Sequence, residues 1–145
     1  MSNNWVWDME KMHDKYGVGP VVENFDKDKL LAFLKFRIDF LQEELDEMRD
    51  AVVDYQSGKI DGTKAADDTV DALIDLCVVA IGTLEAYKVD AHEAWNRVLE
   101  ANMAKEVGIK ESRPNPLGLP DLIKPEGWTA PHHYDNVGLL SKVFD

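Results

Sequence analysis

The sequence predicts an all-α protein, a four-helix bundle with an extended Pro/Gly-rich C-terminal tail and helices completed by oligomerisation. Three observations carry this. Apolar residues recur three or four apart, with helix-capping residues between the runs. From Gly108 onward, Pro114, Pro116, Pro120, Pro125 and Pro131, with Gly118, Gly127 and Gly138, rule out long helix or strand. The second helix, near 30 residues, would reach roughly 45 Å, longer than a compact domain needs, so part of it is expected to pack on another subunit. Residues 1–107 then form a helical domain, and 108–145 a tail lying on the bundle or on a partner subunit.

The elements follow in chain order. Trp5, Met9, Met12 and Tyr16 fall four, three and four apart, with Asn3 or Asn4 as N-cap, and Gly17-Val-Gly19-Pro20 ends this first helix. Asp26 or Asp28 caps the second, which runs to about Gln56 with Ser57-Gly58 as its stop. A loop around Gly62 leads to a third helix over about 64–87. Gly82 and Ala86 let a neighbouring helix approach it closely. Asp90 with Glu93 resembles a capping box and starts a fourth helix, with Ala91, Trp95, Val98, Leu99 and Asn102 as its inward stripe. The tail carries too many large apolar residues for a disordered linker.

Composition narrows the function classes. A chain of 145 residues, 45% hydrophobic, suits one domain with a real core. The net charge of -12 repels nucleic acid and anionic membrane, while a nucleotide stays admissible because divalent cations invert a local field. Cys77 is alone, so no internal disulfide forms, and a reducing, cytoplasmic setting is expected. The start of the chain lacks the pattern of a signal peptide, and the longest apolar run is too short for a bilayer.

The acids carry the chemistry. Leu34, Ile38, Leu41, Leu45, Met48 and Val52 form one apolar stripe. At its edge lies Glu44, with Glu47 and Glu43 further round and Phe36 and Phe40 on the same flank. One helix later, Asp68, Asp71 and Asp75 line a face. Residues 72 to 81 are apolar on every side, which marks a buried helix and makes Asp75 costly unless it is paired or meets a metal. Two antiparallel helices could set Glu43, Glu44 and Glu47 opposite Asp71 and Asp75, a carboxylate cage suited to hard divalent cations. A plainer reading makes the glutamates a solvated stripe and Asp75 a core acid with a hydrogen-bond partner. A rival function is a non-catalytic acidic interaction module, such as a mimic of nucleic acid; it leaves Asp75 unexplained. Glu10-x-x-His13 could be half of a di-iron motif, but no second copy exists. His132-His133 reads as loop surface.

Leu41-x-Glu43-Glu44-x-x-Glu47, followed by Asp71-Ala-Leu-Ile-Asp75-Leu, resembles the signature of the all-α nucleoside triphosphate pyrophosphohydrolases, the MazG-like superfamily. Glu100-Ala-Asn102-Met-Ala-Lys105 and Lys124-Pro-Glu-Gly-Trp128 are similar to its small, often phage-borne, single-domain members. One departure is plain: many relatives have Glu three residues before Asp75, where Ala72 stands here. Asp71, four residues back, is the acid on offer, and the fourth ligand is left open.

The resemblance implies hydrolysis of a (deoxy)nucleoside triphosphate, a dNTP such as dGTP, between the α- and β-phosphates. It implies Glu43, Glu44, Glu47 and Asp75 as catalytic residues, holding with Asp71 two or more Mg²⁺ ions, Mn²⁺ being an alternative. Asn102, Lys105, His13, Lys124 and Trp128 become candidates for the nucleotide, and the assembly a homodimer or homotetramer, in the host cytoplasm if phage-encoded. By the residues alone, Asn102 could as well close a core hydrogen bond, Lys105 reach water and His13 pack.

Overall fold

A computed structural model describes residues 3–113 and 115–145; Pro114, one of the tail prolines, lies outside the described residues. Two compact units emerge, one built from the chain up to Val89 together with 137–145, the other from 90–136.

In the first unit, α1 (Trp5–Tyr16) begins where Asn4 accepts a hydrogen bond from the Trp7 amide and ends at Gly17 in the left-handed conformation. The expected break after Gly17 is not a loop. A further short helix, α2 (Val18–Glu23), follows at once. Pro20 is its third residue, in the first turn, where a helix has no use for the missing N–H. Asp26 caps α3 (Lys27–Gln56) by accepting from the Lys29 amide. Asp61 caps α4 (Gly62–Ala86) by accepting from the Lys64 amide, so Gly62 opens the helix rather than sitting in a loop.

Helices α3 and α4 are antiparallel. The Tyr87 hydroxyl donates to the Leu30 carbonyl, and Arg37 on α3 reaches Val79 and Thr83 on α4. Leu30, Arg37, Glu44 and Ala51 are seven apart and share the line that faces α4, because seven residues close two helical turns within about 20°. Leu30 and Tyr87 are fully buried, and with Val22 and Val143 they make the core at one end of this unit. Val143 arrives on α6 (Leu140–Val143), held by the Leu139 amide donating to the Tyr87 carbonyl at 2.7 Å. Gly138 allows this closure: its φ is +52°, and a Cβ there would lie 2.0 Å from the Tyr87 carbonyl oxygen. Helix α1 runs parallel to α4, Met9 meeting Gly82 and His13 meeting Glu85. Gly82 admits this approach, as its sequence position suggested.

The second unit holds α5 (Ala91–Met103), capped by Asp90, and a short antiparallel pair, β1 (Glu106–Gly108) with β2 (Asp121–Ile123), Val107 opposite Leu122. Asn136 clasps Asp90 twice, accepting from its amide and donating to its carbonyl. Of the inward stripe expected of α5, only Ala91 is buried within this chain. Trp95 is 69% exposed, Val98, Leu99 and Asn102 are exposed too, and the covered side carries Arg97 and Ala101. The cause is visible: Arg97 bonds Asp135 and the His132 carbonyl, and Trp128 donates to the Ala101 carbonyl, so the loop covers the other face. Of the tail residues expected to pack, Leu117, Leu119 and Tyr134 are exposed. Among the described residues no helix is long and apolar enough to cross a membrane.

Candidate active site

Midway along the line of α3 that faces α4 stands Glu44. One of its carboxylate oxygens is buried with no hydrogen-bond partner, an arrangement that costs free energy unless something fills the gap. Its carboxyl is pushed above the ordinary glutamate range, first by burial, then by the negative charges of Glu47 and Asp75, a hydrogen bond with Glu47 and the charge of Glu43. Four acids predicted for the site therefore converge across two helices: Glu43, Glu44 and Glu47 from α3 and Asp75 from α4. Glu43 and Glu47 are exposed, while Glu44 and Asp75 are half-buried.

The surroundings of Asp75 differ from the expected all-round burial. Leu73 and Ile74 are exposed. Ala72 is buried towards α3. Asp71 is exposed and is not among the groups acting on Glu44; its charge acts on Lys64, which is bonded to Asp68. Among the described residues no group of three or more His, Cys, Asp or Glu side chains is already arranged to hold a metal ion. The orphaned Glu44 oxygen, facing carboxylates that repel it, is nonetheless the donor chemistry that a hard divalent cation satisfies.

One half-buried cation lies two turns from Glu44 on the same line of α3. Arg37 donates to the Thr83 hydroxyl at 2.9 Å and the Val79 carbonyl at 3.0 Å, with the rings of Phe33 and Phe40 near its guanidinium. Burial lowers its pKa from the usual arginine value. The sequence signal for it was faint: a basic residue seven before Glu44, on the same line.

His13 is 5% exposed and bonded to Glu85 between α1 and α4, and Glu85 is ten residues, about 15 Å, along α4 from Asp75. The nucleotide candidates of the second unit form their own cluster. Lys105 and Lys124 each place an ammonium about 5 Å from the Trp128 ring, at 5.2 and 5.0 Å, and Asn102 stands exposed on α5.

The model of the phosphoribosyl-ATP pyrophosphohydrolase family matches residues 23–102, which run through α3 and α4 and nearly to the end of α5. The chain belongs to that family. None of the curated proteins matches it. Membership in the phosphoribosyl-ATP pyrophosphohydrolase family agrees with the MazG-like resemblance of the acidic motifs and makes the chain a pyrophosphohydrolase acting on a nucleotide.

Proposed function

We propose that the chain hydrolyses a (deoxy)nucleoside triphosphate, a dNTP such as dGTP, between the α- and β-phosphates, releasing nucleoside monophosphate and pyrophosphate. The single observation that supports this best is Glu44, enclosed, unpartnered at one oxygen and pressed by Glu43, Glu47 and Asp75. Such a group is poorly suited to hold a fold together and well suited to wait for a cation.

In this reading Glu43, Glu44, Glu47 and Asp75 hold two or more Mg²⁺ ions, with Mn²⁺ as a substitute. Asp71 joins them only by turning from Lys64. Bound there, the ions supply the charge that lets an acidic cleft accept a polyphosphate and that acidifies water near the α-phosphorus. Glu44, the most enclosed carboxylate, orients that water, and its backbone is fixed by the α3–α4 packing on either side. Arg37, two turns away on the same line, ties α3 to α4 through Val79 and Thr83. Lys105, Lys124, Trp128 and Asn102 remain the candidates for nucleotide contacts in the second unit, and His13 is reassigned to packing.

The exposed apolar faces favour a homodimer or homotetramer. Val70 and Leu73 on α4, and Trp95 and Leu99 on α5, are all open. An interaction module with no chemistry is disfavoured by the family match. A panel of NTPs and dNTPs with Mg²⁺ or Mn²⁺, with products separated, tests the reading. Release of pyrophosphate supports it; single phosphate release, or no turnover of any nucleotide, overturns it.

A further inference from the structure

Where α1 begins, a cavity of about 190 Å³ opens between it and α4. It is lined by Trp5, Asp8 and Met9 from α1 and, as its floor, by Ile74, Cys77, Val78 and Ile81 from α4. It is smaller than the roughly 300 Å³ at which drug-sized pockets begin, which fits one flat ring system rather than a whole nucleotide. Its floor spans residues 74 to 81, about 10 Å along the helix axis, and the first of them is the neighbour of Asp75. Trp5 is 54% exposed, so part of its indole is free to stack. Asp8 is the one charged group in the lining, and its side chain makes no hydrogen bond or ion pair among the described residues.

We propose that this cavity receives the nucleobase and that Asp8 selects guanine. The assignment rests on the reaction proposed above, since it is the α-phosphate at the acids that brings a base to this distance. An ionised carboxylate has two acceptor oxygens and no donor. Guanine alone among the common bases presents two adjacent donors on its pairing edge, N1–H and the 2-amino group, which a carboxylate meets with two parallel bonds. Cytosine and adenine each offer one amino donor beside a ring nitrogen lone pair, which the second oxygen repels. Uracil and thymine set one N–H between two carbonyls. The other lining groups are apolar or, like Cys77, weak donors, so they grip a ring without distinguishing its edge. The bland account of Asp8 is an acid that merely favours the positive end of α1; it carries no base preference.

The test measures binding of dGMP and of dIMP, which lacks only the 2-amino group, by calorimetry. Wild-type protein binds dGMP more tightly by about tenfold or more, the worth of one hydrogen bond to a charged acceptor. Asp8→Asn, whose amide presents one donor and one acceptor, loses that difference and gains on dAMP relative to dGMP. Trp5→Ala weakens both guanine and hypoxanthine nucleotides alike. An unchanged dGMP-to-dIMP ratio in Asp8→Asn, or wild-type protein that does not distinguish the two, overturns the assignment. Turnover of dNTPs with a base ranking that Asp8→Asn leaves untouched sinks the base pocket alone. Discrimination in binding without turnover of any triphosphate sinks the proposed reaction and leaves the pocket standing.

Discussion

Replacing Glu44 by glutamine should separate stability from activity in opposite directions. The folded protein raises the carboxyl of Glu44 above its ordinary value of 4.5, because Glu47, Asp75 and Glu43 oppose its ionisation after burial has already done so. A raised folded-state pKa means that the native state holds the proton longer than the unfolded chain. The stabilisation is complete below the unfolded value and is lost as pH rises through the folded one. At pH 8 without metal the wild-type cleft is therefore in its least stable state, and Glu44→Gln, uncharged and of the same shape, melts higher. Metal reverses the order. Mg²⁺ at one hundred times its dissociation constant adds about 2.7 kcal/mol to the wild type. At about 4 °C per kcal/mol for a chain of this size, this is a rise of about 10 °C. The variant gains far less and turns over at about a hundredth of the wild-type rate or below, the scale of losing one transition-state contact. Paired melting curves at pH 8, with and without Mg²⁺, and a pyrophosphate-release assay read all three quantities. A variant that melts lower without metal, or that gains the same shift with it, refutes the reading of Glu44 as an acid waiting for a cation.

Gly138→Ala places a Cβ on the immobile backbone of Tyr87 and Lys88 and in a left-handed conformation. The strain of about 1–2 kcal/mol, with loss of Val143 burial worth about 1.5–3 kcal/mol if α6 lifts away, totals about 2.5–5 kcal/mol in urea unfolding; a loss under 1 kcal/mol would show that α6 is not held there. Arg37→Ala should cost about 2 kcal/mol for its hydrogen bonds and ring contacts, whereas Arg37→Met, which fills the space without a charge to desolvate, should stay within about 1 kcal/mol of wild type. Equal losses would mean that the charge itself is needed. Trp128→Ala should raise KM about tenfold with kcat little changed if Lys105 and Lys124 meet the nucleotide through this cluster, and an unchanged KM removes these residues from binding.

Part of the candidate site was legible in periodicity. Spacing showed that two antiparallel helices could set Glu43, Glu44 and Glu47 opposite Asp75, and Glu44 does feel Asp75. What it misplaced was the line of closest approach. The stripe from Leu34 to Val52 includes Ile38 and Val52, both half exposed, while Arg37 and Glu44 face α4. Apolar spacing sums over every surface that a helix will ever meet. It cannot say which part of the stripe is spent inside one chain, and α5, with Trp95 outward, shows the same ambiguity. His13 and Arg37 were illegible for another reason. A lone charged side chain carries no period, so its partners, Glu85 for one and a hydroxyl and a carbonyl for the other, appear only when the helices are set together. Helix α2 hid behind Pro20, because a proline reads as a stop unless one already knows that a new helix has begun two residues earlier.

The pair of hydrogen bonds between Asp90 and Asn136, with the Leu139 amide on the Tyr87 carbonyl, means that the chain leaves the first unit and comes back at nearly one point. Topologically the stretch from 90 to 136 is a cassette on a closed doorway: its length can drift without pulling on Leu30, Tyr87 or Val143. Selection can thus lengthen or trim the loops of that cassette while the acid-bearing helices keep their register.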